Sequence, residues 1–326
     1  MGLDRFIGFL QPVVEACARL GTHYVDFTTE TPWIEDMVVR YAEMARKSGA
    51  LIIHGLFTYT PSDIIAFLIA KELRERDNLR PTEIICSGKL DIKAMTAGSI
   101  TTVLDLFATY GSKWYLWGDS WILSTLRPNI IPKPPWMTRL FGYRRINGLG
   151  PLSTSFAGPG NEAMVHRSAS QWPDLYGPGF HYEEYLPVDG IFAILHWLTK
   201  TVLVLLSLPI FRGVIRTFVA RKAPAPDVNK LRHLESMEFR AIGRVGSDDS
   251  PRAWASFTHQ GSLYELTALV TCVGALCLLD PTIELEKSGG ECHGSGGFVT
   301  PSYLGMGYVD RLRDAGVNIE VGRIYI

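Results

Sequence analysis

The sequence is short of the features that mark several protein classes. Its 326 residues include five cysteines, Cys17, Cys86, Cys272, Cys277 and Cys292, an odd number at irregular spacings with no C-x-x-C. That pattern argues against a disulfide framework, and Cys292-His293 has no second pair to complete a zinc shell, so no metal ligand set is expected. Neither charge is in surplus, with 32 Lys plus Arg against 33 Asp plus Glu, and no basic cluster is longer than a pair. The electrostatic footprint of a nucleic-acid binder is therefore lacking. The opening Met1-Gly-Leu-Asp-Arg-Phe-Ile has no basic stretch leading into an apolar run and a cleavage site. An intracellular, reducing location is the expectation. No internal repeat is visible. What the chain has in quantity is apolar surface, 47% hydrophobic residues against 20% charged, enough for one large core or two ordinary ones.

The first ninety residues alternate between helix and strand signals. Gln11 to Leu20 carries Val13, Val14, Cys17 and Leu20 at helical spacing, with Gly21 as its stop. A strand is predicted from His23 to Phe27. Thr31-Pro32 reads as a cap followed by proline, opening a helix to Ser48 that Gly49 ends, and Ala50 to His54 reads as a buried strand. Thr60-Pro61 repeats the device for a helix to about Glu75, with Asp63 in its first turn. Such alternation is how a parallel sheet with crossover helices is written. A dinucleotide domain, however, begins with a strand and a G-x-G-x-x-G turn, and no such pair precedes Gln11.

Beyond residue 80 the pattern changes. Thr82 to Ser87 reads as a strand and Gly98 to Thr109 as a helix opening at Ser99, while residues 127 to 160, rich in Pro and Gly, read as a long loop or a domain crossing. Met237 to Arg244 and Ala253 to Thr258 suggest an antiparallel hairpin, and Leu263 to Leu279 an apolar helix. Gly289-Gly290 and Gly294 to Gly297 read as a turn rather than a phosphate loop, since no Lys-Ser/Thr follows. Thr300-Pro301 is a third cap-plus-proline, for a helix to about Ala315 and a strand from Val317. The fold class expected is α/β: the carboxyl-terminal part of a Rossmann-like parallel sheet plus a second, α+β domain with a mainly antiparallel sheet. The domains expected are 1–80 (partial dinucleotide-binding), 81–187 (substrate), 188–222 (hydrophobic segment), 223–299 (substrate domain, continued) and 300–326, a helix and strand returning to the first domain.

Pro12 to Glu30, with Ala16-Cys17, Gly21-Thr-His-Tyr-Val-Asp26 and Thr28-Thr-Glu30, resembles the saccharopine dehydrogenase-like oxidoreductases, which include trans-acting enoyl reductases and lipid-droplet members. Further motifs follow in that family's order: Pro61-Ser-Asp63, Val165-His-Arg-Ser168, Tyr176-Gly-Pro178 with Phe180 and Tyr182, and Gly296-Gly-Phe-Val-Thr-Pro301. The chain departs from the family at Thr29, which replaces a glycine, at Leu56 to Thr60, where an acidic group is lost, and in having no glycine-rich amino-terminal half, which marks it as an amino-terminally truncated member. The resemblance implies NAD(P)H-dependent reduction of an enoyl or imine bond in a lipid-like or polyketide-like substrate, free or carrier-bound, as in secondary metabolism. The alternative is a catalytically inactive homologue acting as a membrane-associated scaffold.

Candidate residues follow from both readings. Asp26, Thr28 and Glu30 end a parallel strand, so they form a wall of the cofactor pocket or cap the helix at Pro32. Tyr59 is a proton donor or a packing residue. Asp63 and Arg167 are substrate-binding candidates, Asp63 otherwise facing the helix dipole and Arg167 otherwise lying on a solvated strand edge. His54 reads as a hydrogen-bonded core histidine. Ile191 to Val219 holds two apolar runs ending in Arg212, Arg216, Arg221 and Lys222. It reads either as a segment lying on the cytoplasmic face of a membrane or lipid droplet, or as a buried hairpin or homodimer interface.

Overall fold

A computed structural model describes residues 3–93, 95–111, 114, 118–128, 134–188, 192–222, 228–246, 250–280 and 296–324. Two sheets organise the chain. The smaller is wholly parallel, in the order β1 (Tyr24–Val25), β2 (Leu51–Ile53), β9 (Gly297–Val299). The larger runs β10 (Asn318–Arg323), β8 (Pro251–Gln260), β7 (Ser236–Arg244), β3 (Glu83–Asp91), β6 (His181–Pro187), β5 (Gly150–Thr154), β4 (Arg144–Ile146), and among its pairs only β3 with β6 is parallel. The fold is thus mixed α/β, one parallel sheet beside a mostly antiparallel one, compatible with a Rossmann-like part and a second domain.

The helices that position the site follow the predicted order. Helix α1 (Leu3–Leu20) tolerates Pro12 and precedes β1; α2 (Thr31–Ser48) joins β1 to β2, and its last turn closes on Gly49 in the left-handed conformation, φ +84°. Helix α3 (Thr60–Asp77) leaves the end of β2 and lies against β7, β8 and β10 of the larger sheet. It is buried almost all round over its first half, from Thr60 to Ala70, which explains its weakly amphipathic sequence. Its other side meets α6 (Gly158–Gln171) and the 3₁₀ turn Pro301–Leu304, so this one helix ties the two sheets together. A single apolar cluster accordingly runs from Ile53 and Leu56 through Ile65 and Leu68 to Phe239 and Phe257.

Several expectations are corrected. The Thr-Pro pairs at 31 and 60 do not place threonine at the cap: Glu30 and Tyr59 hold that position, and the threonines are the first helical residues. Helix α4 (Ala97–Thr109) is capped by Thr96, whose hydroxyl accepts from the Ser99 amide, and not at Ser99. Residues 127–160 are not all loop, because Pro135 precedes a short helix, α5 (Trp136–Phe141), and β4 pairs with β5 across a turn at Gly148. The strand that returns to the first sheet is β9, not the terminal one. Phe298 and Val299 are buried on both faces, as a parallel strand demands, whereas β10 alternates exposed Asn318 and Glu320 with buried Ile319, as suits an antiparallel strand covered on one face. Gly296 and Gly297 therefore lead into a strand; Gly289-Gly290, Gly294 and Cys292-His293 lie outside the described residues. Three elements agree with the sequence reading residue for residue or nearly so: α2, the β7–β8 hairpin, and α11 (Leu263–Leu279). In chain order the helices between α6 and α11 are α7 (Pro173–Tyr176), α8 (Phe192–Ser207), α9 (Pro209–Lys222) and α10 (Val228–Leu231), and α12 (Gly305–Asp314) follows the 3₁₀ turn.

Candidate functional site

The carboxyl ends of β1, β2 and β9 lie side by side, because the three strands are parallel and in register. Open α/β sheets place ligands at such ends, where crossover loops diverge and backbone groups are left free. Asp26 organises this edge. Its main-chain amide and carbonyl bond Ile53 and Leu56, extending the β1–β2 ladder by one residue. Its carboxylate accepts from the amides of Thr28 and Gly55, both at 3.0 Å, from the Tyr24 hydroxyl at 3.0 Å, and from His54 Nδ1 at 2.7 Å. Burial alone pushes this carboxyl upward, but the His54 charge and the donated bonds outweigh it and hold Asp26 below the usual carboxylate range. His54 is the buried, hydrogen-bonded core histidine expected, edge-on to Trp33 at 5.2 Å and to Tyr24 at 5.7 Å.

Asp26 and Thr28 cap nothing in α2, whose amino terminus has no side-chain cap bond. Glu30 is buried at that terminus and accepts from the Thr29 amide at 2.9 Å, and burial raises its carboxyl, helped by the Asp26 charge. The reading of Asp26 and Thr28 as helix caps thus fails; both are buried at the strand ends. Phe27 and Thr29 alternate with them and face solvent, beside half-exposed Phe57 and Thr58 of the β2 turn. Asp26→Asn is expected to cost about 2 kcal/mol, the value of charge-assisted bonds lost at a buried acceptor, read as a lowered urea midpoint at pH 7.

Tyr59 is fully buried. Its hydroxyl donates to the Thr29 carbonyl at 2.9 Å and receives the Thr31 hydroxyl at 2.9 Å, so it clamps the β1 turn from behind. Asp63 and Arg167, expected to meet substrate, are instead buried struts. Asp63 accepts from the Ser168 hydroxyl and from the Ser302 amide at 2.7 Å, joining α3, α6 and the 3₁₀ turn, and burial raises its carboxyl to about 6. The Arg167 guanidinium donates to the carbonyls of Leu123 and Phe298, both at 2.7 Å, from inside α6 and not from a strand edge. The reason is topological: α3 and α6 cross between the sheets, which puts their polar groups in the interior, where each must find a partner. Beside Arg167, His166 stacks on Trp121, gives its Nδ1 proton to the Ser120 carbonyl at 2.7 Å and accepts the Tyr182 amide on Nε2; burial and neighbouring His181 lower it to about 3.

A second buried cluster was not legible in the sequence. Glu184 of β6 accepts from Ser62 and from Asn161, each at 2.6 Å, and from the Tyr182 hydroxyl at 3.0 Å. Burial raises it to about 7, and its neighbour Glu162, bonded to the Glu184 amide, to about 8. Both carboxyls are thus poised to hold protons near neutral pH. Adjacent Glu183 and Glu184 are both buried because opposite faces of β6 are covered, Glu183 pairing with Arg144. Among the described residues no group of three or more His, Cys, Asp and Glu has a metal-binding arrangement.

Fold and site define an α/β protein whose small parallel sheet presents a polar edge at its strand ends, with a larger, mostly antiparallel sheet packed beside it. No family model matches the chain. It is similar to proteins named trans-acting enoyl reductase from Mycobacterium ulcerans (strain Agy99), 25% identical over 339 residues covering 96% of this chain and 77% of that protein, and from Mycobacterium tuberculosis (strain ATCC 25618 / H37Rv), 25% identical over 336 residues at the same coverage. Another M. tuberculosis protein with enoyl reductase in its name is 28% identical over 189 residues, 55% of this chain and 45% of that relative, so the match spans about half of that protein's length.

Proposed function

We propose that the chain is a reductase of the saccharopine dehydrogenase-like type, acting on the enoyl bond of a lipid-like or polyketide-like acyl group, free or carrier-bound, with NAD(P)H. One observation carries this reading: the likeness to trans-acting enoyl reductases runs through nearly the whole chain, including the stretches that build the strand-end site at Asp26 and Gly55. The domain organisation in this reading is a dinucleotide-side sheet with a substrate-side sheet, α3 and α6 forming the seam.

The strand-end turns suit the ring end of a nicotinamide cofactor. Phe27 and Phe57 offer apolar ring faces there, and the Asp26–His54 pair fixes the backbone behind them. Such a cofactor's pyrophosphate would need backbone amides at a helix start, and no described residue is given that role. The chain's own residues bind and orient the acyl group against the carboxyl ends of β1 and β2, and the proton that completes reduction comes from water reaching that edge or from Tyr59. The hydrogen bonds favour water, since the Tyr59 proton is already given to the Thr29 carbonyl.

The test is consumption of reduced nicotinamide, followed by absorbance, with an α,β-unsaturated acyl thioester as substrate. Turnover dependent on both reactants is expected; failure of NADH and NADPH to bind, by calorimetry at millimolar cofactor, overturns the reading and leaves the inactive scaffold. In an active preparation, Tyr59→Phe is expected to lower kcat less than about three-fold while reducing the thermal midpoint, because it removes a clamp. A drop of roughly a hundred-fold or more with an altered pH profile would make Tyr59 the donor.

A further inference from the structure

The two helices α8 and α9 carry an apolar surface that the rest of the molecule leaves uncovered. They meet at Leu208-Pro209, where the axis turns by 92°. Neither helix is long and apolar enough to cross a bilayer, and the bend points the two arms in different directions. Each arm is anchored on its inner side. Leu203 is buried and His196 bonds Thr154 at 2.5 Å on α8, and Arg216 of α9 pairs with Asp105 of α4. The outer sides are apolar at helical spacing: Ile194, Leu198 and Val202 along α8, and Ile210, Val214 and Phe218 along α9, with Ile210 at 73% exposure. Trp197 adds to the α8 stripe, and α5, lying alongside, adds Trp136 at 68% exposure. Between α5 and α8 opens an apolar groove of about 430 Å³ lined by Phe141, Ile194, Trp197 and Leu198.

Charge says what covers this surface. From Gly190 to Lys222 the sequence has five Lys and Arg, one of them Arg216 paired with Asp105 of α4, and not one Asp or Glu, in a chain whose charges balance overall. A protein partner or a second copy would bring mixed charges to meet it; a sheet of anionic headgroups brings only the sign that is missing. The Lys200 ammonium lies 5.8 Å from the Trp197 ring, an aliphatic stem and an indole side by side with a charge at one end, the arrangement that settles at a headgroup boundary. Burial lowers the Lys200 ammonium somewhat, as its stem lies along this apolar surface.

We infer that α8, α9 and α5 form a monotopic docking surface for an anionic membrane leaflet, α8 and α9 lying in the interface plane rather than spanning it. The strand-end site would then work beside a lipid surface, although the docking stands whether or not the chain is a reductase.

Vesicle flotation of the full chain tests this. Co-flotation is expected with phosphatidylcholine vesicles containing phosphatidylglycerol, weakened at about 0.5 M salt and weaker still with phosphatidylcholine alone. Trp197→Glu and Ile210→Glu, both at exposed positions, should each cut the bound fraction roughly ten-fold with the circular dichroism spectrum and thermal midpoint unchanged. Val39→Glu, at a 78% exposed site on α2, should leave it unaltered. No flotation with either lipid composition, or equal flotation of wild type and the Trp197 and Ile210 variants, overturns the proposal. So does a concentration-dependent dimer in sedimentation that those two substitutions dissolve, which would give the surface to a second copy.

Discussion

Gly55→Ala is expected to destabilise the protein by about 4 kcal/mol or to prevent its accumulation in soluble form, the largest effect foreseen for so small a change. Gly55 turns the chain from β2 toward α3 at φ +72°, a region that costs an alanine about 1 to 2 kcal/mol. The added Cβ would also stand 2.0 Å from the Tyr59 ring and 2.9 Å from the Thr28 carbonyl oxygen. Neither neighbour is free to yield: Tyr59 is pinned by Thr29 and Thr31, and Thr28 is held through its amide by Asp26. Overpacking of this kind costs roughly another 1 to 3 kcal/mol, and the Gly55 amide is itself one of the donors that keep Asp26 ionised. Urea unfolding monitored by tryptophan fluorescence measures the loss. A variant as stable as the wild type would mean that the strand-end turns are looser than described, and the case for a preorganised site would fall with it.

The second large effect concerns Glu184 and is best seen as a function of pH. Because burial raises this carboxyl from 4.5 to about 7, the native state binds more protons than the unfolded chain throughout that interval. The Glu184 contribution to unfolding free energy therefore falls by about 3 kcal/mol as pH rises from about 4.5 to 7, and levels off above. Glu162, raised to about 8, carries the decline further, and Asp63, raised to about 6, adds to its acidic end. Glu184→Gln keeps the shape of the protonated acid. Its amide has an acceptor ready, since the Asn161 side-chain oxygen is buried without a hydrogen-bond partner. This variant is expected to flatten the pH dependence and to be about 2 to 3 kcal/mol more stable than wild type at pH 8. Glu184→Ala instead strands Ser62, Asn161 and Tyr182 around a hole, and about 3 to 5 kcal/mol should be lost at pH 6. Buried His166, lowered to about 3, and His181, lowered to about 4, contribute in the opposite sense below about pH 6.5, so denaturation midpoints of the three proteins at pH 5, 6.5 and 8 are read as differences from wild type; a Glu184→Gln difference that does not grow in the variant's favour as pH rises contradicts the assignment.

The three Thr-Pro pairs show where local rules stop. Proline stands second in α2 and α3 and first in the 3₁₀ turn Pro301–Leu304, starting each where the sequence says an element begins, because its φ is fixed and its missing N–H is not needed there. The threonine hydroxyls, which local reasoning gives to the caps, go elsewhere: Thr31 to Tyr59 and Thr300 to Ser168, partners 28 and 132 residues away in sequence. A hydroxyl in a buried seam bonds whatever polar group the fold brings opposite, and that outweighs a cap bond the interior can replace.

By itself the chain determined what depends on neighbours in sequence. Helix α2 with its left-handed stop at Gly49, the β7–β8 hairpin, the apolar α11, the alternation that gives a parallel sheet, and the position of Asp26 at a strand end all follow from periodicity, proline, glycine and capping chemistry. The tertiary structure decided what depends on which elements meet. Packing α3 and α6 between two sheets turned Asp63 and Arg167 from surface candidates into struts, and pairing β9 with β2 sent a glycine-flanked stretch into the first sheet. Covering both faces of β6 made Glu184 a buried acid. Burial, hydrogen-bond partners and proton affinity are properties of a residue's surroundings, and distant parts of the chain supply them.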